Sequence, residues 1–249
     1  PWLSPYSVVN SNPILYKDVN GKDWEITITY DKSGNKTIHV KLTAAVLDAT
    51  TGQKIDMNAF KASVEAQIKS TYGISYSEAS KYSTIKLAGK DVIVPTESRN
   101  VTVVLDLNIR IIKGISNLKK DEHLIKIVDN NSSELDASET AKVNKIGGKV
   151  INIKEKYVAD IIANVNKKTV AHEIGHTLGL RHIDKPAETV GEHFDRFFGG
   201  EGNDQYRGPA SNNPDNVMLS NYKPSANKLN PEQMQIIEKR YKNGKINKR

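Results

Sequence analysis

Residues 172–182 read His-Glu-Ile-Gly-His-Thr-Leu-Gly-Leu-Arg-His, and this stretch decides how the rest of the chain is interpreted. On a helix, His172 and His176 leave the same face because they are four residues apart, so both imidazoles can bind one metal ion. Gly179 suits the left-handed conformation that ends a helix, and the chain can then turn back to bring in His182 as a third ligand. Three histidines leave one position of a tetrahedral zinc open, which is typical of a catalytic site.

Glu173 follows the first histidine, and there its carboxylate can take a proton from the attacking water without binding the metal. The opposite face of the same helix is apolar, because Val170, Ile174 and Leu178 recur at every fourth position. The alternative is a surface helix that carries histidines by chance, and it would not explain why both faces are patterned. The stretch therefore predicts a zinc helix that packs with one face and binds metal with the other.

The motif resembles the signature of the metzincin metallopeptidases, in which His-Glu-x-x-His-x-x-Gly-x-x-His is followed by a methionine turn. Asn216-Val217-Met218-Leu219-Ser220 is similar to that turn. The resemblance implies that Met218 lies beneath the zinc, and the alternative is an ordinary core methionine. Because some relatives use an aspartate as third ligand, Asp184 is an alternative to His182.

The resemblance implies an α+β fold, that of a metzincin-like zincin with two lobes. The metallopeptidase domain would span residues 24–249, with an upper lobe over residues 24–180 and a lower lobe over residues 181–249. A twisted mixed sheet would form the upper lobe, backed by one helix and by the zinc helix. The lower lobe would be small and rich in loops and would end in a helix that begins after Asn230.

Local periodicity predicts the individual elements. Asp56 is the predicted N-cap of a helix that ends at Tyr72, and a shorter helical segment leads into the zinc helix. The polar stretch from Asn130 to Ala141 is predicted to be a loop, and His123 to be a strand-edge residue. Alternating apolar residues predict strands over residues 24–30, 36–47, 101–112, 123–128 and 150–153, with a weaker signal over 85–94.

In metzincins the edge strand before the zinc helix pairs with an extended substrate, and residues 149–153 are the candidate here. Strand addition needs only free backbone groups, so Val150, Ile151 and Asn152 are the predicted substrate-binding residues. Residues 185–215 are predicted to form a long irregular loop on the far wall of the cleft. His193 lies in that loop and is predicted to be a surface residue.

Residues 1–23 contain repeated prolines and asparagines and follow neither a helix nor a strand period. The series Ser4-Pro5-Tyr6, Asn12-Pro13 and Asp18-Val19-Asn20-Gly21 resembles the end of the core in Rhs/YD-repeat polymorphic toxins, although Val19 replaces the usual proline. An irregular tail is the alternative. The resemblance implies a bacterial toxin that is secreted or delivered into target cells, with a cognate immunity protein as a partner.

Composition limits the other function classes. The chain has 249 residues, a net charge of +7 and no cysteine, so disulfides and thiolate zinc ligands are excluded. No apolar run is long enough to predict a membrane span. A basic cluster lies near the end of the sequence, but no aromatic interleaving accompanies it, so we expect a solvated face and no nucleic-acid partner.

Together these patterns predict a zinc endopeptidase that acts on protein or peptide substrates, with Zn²⁺ as its cofactor. Two alternatives stay open: a nuclease-type toxin, and a non-catalytic binding domain that keeps zinc only for structure. The basic cluster has no catalytic constellation beside it, and a structural zinc site has no use for a base at Glu173. Both alternatives are therefore less favoured.

Overall fold

The computed structural model describes residues 23–52, 54–186, 213–220 and 223–246. The predictions made for residues 1–22, for most of the 185–215 loop and for His193 lie outside the described residues. Eleven elements position the site: the strands β1 (Trp24–Tyr30), β2 (Lys36–Asp48), β3 (Ser75–Leu87), β4 (Lys90–Ile112), β5 (His123–Val128), β6 (Ala141–Val143) and β7 (Val150–Lys154), and the helices α1 (Met57–Tyr72), α2 (Val158–Ile162), α3 (Thr169–Thr177) and α4 (Pro231–Lys242).

The strands form one mixed sheet in the order β3-β4-β2-β5-β7-β6. The strands β4, β2, β5 and β7 run parallel, whereas β3 and β6 are antiparallel to their neighbours at the two ends. The first half of β2 pairs antiparallel with β1, and its second half pairs with β5 on the same edge. The predicted α+β class and mixed sheet are confirmed, and the division into two lobes stays a prediction.

The core lies between the sheet and the helices α1 and α3. Phe60, Val64 and Ile68 recur at every fourth residue of α1 and are fully buried. The predicted cap is also present, because the Asp56 carboxylate accepts hydrogen bonds from the amides of Asn58 and Ala59. These features confirm the helix that was predicted from the sequence.

The long hairpin β3–β4 differs from the predicted strand over residues 85–94. Ala88 and Gly89 both have positive φ, 49° and 79°, so a tight turn interrupts that stretch. The pairing continues from Leu87↔Lys90 back to Ser75↔Thr102. Pairing across the hairpin extends both strands into polar sequence. That sequence has too little apolar alternation to be predicted as a strand from the sequence alone.

The prediction that residues 149–153 form the edge strand is wrong. Strand β7 lies inside the sheet, between β5 and β6, so the backbone of Ile151 and Asn152 is paired on both sides and Val150 is paired with β5. The edge strand is instead β6, which begins at Ala141, the last residue of the stretch that was predicted to be a loop. The chain folds back between the two strands, where the Gly148 amide donates to the Lys145 carbonyl. Val150, Ile151 and Asn152 therefore cannot add a substrate strand.

Among the helices of the described residues, none combines the length and the apolar character that a membrane span needs.

Candidate functional site

Helix α3 begins and ends where its sequence contains capping signals. The Asn166 side-chain oxygen accepts a hydrogen bond from the Thr169 amide at 3.0 Å, which satisfies a free N–H of the first turn. At the other end, Gly179 has a φ of +81°, and its amide donates to the His176 carbonyl. The chain therefore turns back directly after the helix and brings His182 to the face that carries the first two histidines.

The structure brings the three predicted histidines together. Their Nε2 atoms are separated by 3.0 Å between His172 and His182 and by 3.2 Å between His172 and His176. The metal-binding atoms of all three lie within 4.8 Å of one another. Tetrahedral zinc with Zn–N distances of about 2.0–2.1 Å places its ligand nitrogens about 3.3 Å apart, so this donor set fits zinc.

Backbone carbonyls fix the orientation of two of these rings. The Nδ1 atom of His172 lies 2.7 Å from the Val217 carbonyl, and that of His176 lies 2.8 Å from the Leu180 carbonyl. A carbonyl can only accept, so each Nδ1 carries the proton and each Nε2 keeps its lone pair for a metal. Burial, and then the neighbouring histidines, hold the pKa of His172 well below its usual value. The ring is therefore neutral and ready to bind a cation.

The carboxylate of Glu173 lies in the same cleft and is held by the edge strand. Its Oε2 atom accepts a hydrogen bond from the Val143 amide at 2.8 Å, and the residue is only 6% exposed. The bond fixes the carboxylate between β6 and the histidines. The sequence contains no local signal for this contact, since a three-residue strand in a polar stretch has no visible period.

Met218 packs directly against the backbone of α3. A Cβ atom added to Gly175 would lie 2.4 Å from the Met218 sulfur and 3.0 Å from the Tyr72 hydroxyl, closer than real contacts allow. The Tyr72 hydroxyl donates to the Ala171 carbonyl, and the Asn216 side chain accepts from the Met218 amide. The glycine inside the motif is therefore required because a fully buried methionine and a tyrosine approach the helix there.

Asp184 binds a neighbouring loop and is not one of the grouped metal-binding residues. Its carboxylate accepts from the Ser220 amide at 2.9 Å and from the Ser220 hydroxyl at 2.6 Å. Burial would raise the pKa of Asp184, but the bonds from Ser220 outweigh it and keep the pKa below its usual value. The segment after His182 is thus tied to the segment after Met218, and the group of three contains His182 rather than Asp184.

A cleft of about 840 Å³ contains the histidines and Glu173. Its lining includes residues 138–146, which contain β6, together with Leu219 and Ser220. Lys168, the residue that precedes α3 and lies four positions before His172, also lines the cleft, and its Nζ donates to the Leu219 carbonyl at 2.6 Å. Sequence analysis missed this lysine, although its spacing of four from His172 places it on the metal-binding face.

Comparison with known families shows to which protein family the chain belongs. The family model for the dual-action HEIGH metallo-peptidases matches residues 35–193, more than half of the chain. In one-letter code, residues 172–176 spell HEIGH, the letters in that family's description. A search of curated proteins found no match. The predicted enzyme class and the predicted zinc are confirmed: the chain is a zinc metallopeptidase, a hydrolase, and it belongs to the dual-action HEIGH metallo-peptidase family.

Proposed function

We propose that the chain is an endopeptidase in which His172, His176 and His182 hold the zinc and Glu173 is the general base. One observation carries this proposal: the three converging histidines and Glu173 line a single cleft of about 840 Å³. A structural zinc site would need a fourth protein ligand, whereas among the described residues the group has three.

The bound zinc would supply Lewis acidity, which lowers the pKa of a water molecule towards about 7 and polarises the scissile carbonyl. Glu173 takes a proton as the water oxygen bonds to the carbonyl carbon. It then delivers that proton to the nitrogen of the leaving amine as the C–N bond breaks. The hydrogen bond from the Val143 amide keeps the carboxylate oriented through both transfers, and the three histidines would hold the metal beside it.

The edge strand β6 is the proposed docking strand for an extended substrate. The Thr140 carbonyl and the Asn144 amide bond to β7, so by alternation the backbone groups of Ala141 and Val143 point away from β7. The bond from the Val143 amide to Glu173 supports that direction. A peptide that pairs antiparallel with β6 would therefore pass over the zinc face of α3.

Two lobes that meet at the cleft are part of the same proposal, with the upper lobe over residues 24–180 and the lower lobe over residues 181–249. The contact of Met218 with Gly175 supports a methionine turn beneath the metal. The bonds between Asp184 and Ser220 support a lower lobe whose segments are tied to one another.

We also infer a biological context from the motifs of residues 1–23, which resemble the end of an Rhs core and are the only support for this step. The metallopeptidase would be a bacterial toxin domain that is secreted or delivered into target cells. Its producer would hold a cognate immunity protein. Expression in bacteria tests this idea, because the wild type should arrest growth and Glu173→Gln should not.

Cleavage mapping tests the endopeptidase. The zinc-loaded wild type and Glu173→Gln are each incubated with denatured protein and, separately, with plasmid DNA, and new peptide termini are identified by mass spectrometry. We expect new termini only with the wild type, a rate at least about 100-fold lower for Glu173→Gln, and equal zinc content in both proteins. Intact protein together with nicked DNA would favour the nuclease alternative.

A further inference from the structure

We propose that a pair of buried side-chain amides, those of Asn216 and Gln233, positions the zinc ligand His172. The pair acts through one peptide unit of the turn that contains Met218. The inference rests on the zinc site of the proposed function, in which His172 is a ligand, and it does not depend on which substrate is cleaved. Three features carry it: the amide pair, the peptide unit between Val217 and Met218, and the anchoring of α4.

The two side chains bind each other in the core. Asn216 is fully buried and Gln233 is 1% exposed. The Nδ2 atom of Asn216 donates to the Oε1 atom of Gln233 at 2.9 Å, and the Nε2 atom of Gln233 donates back to the Oδ1 atom of Asn216 at 3.3 Å. Backbone amides, which can only donate, identify the two oxygens: the Met218 amide lies 2.8 Å from Oδ1, and the Asn230 amide lies 3.0 Å from Oε1. The pair therefore joins the turn to the beginning of α4 in a single orientation.

One peptide unit carries the effect of this pair to the metal ligand. The Val217 carbonyl and the Met218 amide belong to the same planar trans peptide, in which C=O and N–H point in opposite directions. Asn216 holds the N–H, and the C=O lies 2.7 Å from the Nδ1 atom of His172. Rotation of this peptide would break both bonds, so the Asn216 side chain fixes the direction of the carbonyl. That direction keeps the ring proton on Nδ1 and leaves Nε2 for zinc.

Helix α4 anchors the amide pair. Gln233 lies in its first turn, and the neighbouring Met234 and Ile237 are at most 1% exposed, so the helix is packed into the core. Without Gln233, the buried Nδ2 atom of Asn216 would lose its acceptor, which favours other side-chain orientations that release the Met218 amide. The position of α4 is thus transmitted to the zinc ligand through two side chains.

The substitution Gln233→Met tests the proposal, because methionine has a similar length but cannot form the amide pair. Zinc affinity is measured by competition with a chromophoric chelator. The tautomer of His172 is read from nitrogen NMR of the imidazole rings in the zinc-free protein at about pH 8, where histidine is ordinarily neutral. We expect zinc affinity to fall by about 10-fold or more, as for other partners that orient a ligand. Part of the His172 population should also carry its proton on Nε2, whereas the wild type should carry it on Nδ1.

Gln67→Met is the matched control. It makes the same substitution at a glutamine that is 2% exposed, whose side chain binds the Asn166 carbonyl and not the turn. This variant should lose stability but keep the zinc affinity and the tautomer of the wild type. The double variant Asn216→Leu with Gln233→Met leaves neither amide half-bonded, so it covers the case in which the single variant does not fold. It should lose at least as much zinc affinity as Gln233→Met.

Two results would overturn the proposal. One is a zinc affinity that stays unchanged in folded Gln233→Met or in the folded double variant. The other is a fall in affinity with the His172 tautomer unchanged, which would make the amide pair purely structural. His172→Ala separates this inference from the proposed function: it should lose far more zinc affinity than Gln233→Met, and full retention of zinc would overturn the ligand set itself.

Discussion

Among the described residues, buried or half-buried histidines lie in two regions, and only one of these has the geometry of a metal site. At the cleft, the Nε2 atoms of three histidines converge while carbonyls hold the Nδ1 atoms of His172 and His176. On β5, His123 is 1% exposed and packs against Trp24 with 5.7 Å between ring centroids, and it belongs to no group of three metal-binding side chains in the described chain. Burial alone therefore does not mark a functional histidine, whereas convergent donors with fixed tautomers do.

Replacing one histidine in each region tests the difference between the two regions most directly. His182→Ala should lower zinc affinity by more than about 100-fold, because the loss of an outer partner of a zinc ligand already costs about 10- to 100-fold. Peptidase activity should fall with it. His123→Leu should keep both zinc and activity. Zinc titration and kcat/KM are the measurements, and a His182→Ala protein with full zinc affinity would favour Asp184 or water as the third ligand.

Gly175→Ala tests how tightly Met218 and Tyr72 pack against the helix that carries the cleft histidines. The new methyl group would meet the Met218 sulfur and the Tyr72 hydroxyl, so the buried side chains must shift. We expect a loss of about 1–3 kcal/mol in the free energy of unfolding, typical of an overpacked core. Denaturant unfolding measures it. The double variant Gly175→Ala with Met218→Ala should recover part of the packing, and an undisturbed single variant would show that the contact is loose.

The pH dependence of stability separates His123 from solvent-exposed histidines. Burial, and then the charge of Lys149, lower the pKa of His123 to about 3, and Lys149 in turn pairs with Asp23. The unfolded chain binds a proton near pH 6.5 while the folded chain does not, so stability is present above that pH and is lost as pH falls towards 3. The loss should approach about 1.4 kcal/mol per pH unit.

His123→Leu should remove that part of the pH dependence. Urea unfolding of the zinc-saturated wild type and variant between pH 7.5 and 5.5 measures it, since effects of pH on the zinc ligands are common to both proteins. Parallel curves for the two proteins would mean that His123 is protonated at its usual pKa in the folded state.

Asp184→Ala should have the smallest effect. It removes the acceptor of the Ser220 amide and hydroxyl and should lower the free energy of unfolding by about 1 kcal/mol, with zinc retained. Ser220→Ala is the matched control: it removes the hydroxyl bond and keeps the amide bond, so its loss of stability should be smaller, and the double variant should resemble Asp184→Ala. Loss of zinc in Asp184→Ala but not in Ser220→Ala would make the aspartate a ligand.

The parts of the fold that could be predicted are those whose signals are local. The histidine spacing, the Val170–Ile174–Leu178 stripe and the Asp56 cap each act within a few residues, and α1 and α3 formed as predicted. The three residues of that stripe are at most 1% exposed. The zinc cofactor was predicted from the same local spacing of the histidines.

The edge strand could not be predicted because its signal is not local. Residues 141–143 form a strand only through their pairing with β7 and the bond from Val143 to Glu173, thirty positions further along the chain. Nothing in the alternation of Val150–Ile153 reveals that a second strand covers it. The tie between Asp184 and Ser220 depends in the same way on two segments that are distant in sequence.

The central claim is that the three converging histidines form the zinc site, and anomalous diffraction from zinc-loaded crystals tests it most directly. The account predicts one strong zinc peak about 2.0–2.1 Å from the Nε2 atoms of His172, His176 and His182, within reach of the Glu173 carboxylate but not bound by it. A peak coordinated elsewhere, or a fourth protein ligand that closes the site, would contradict it.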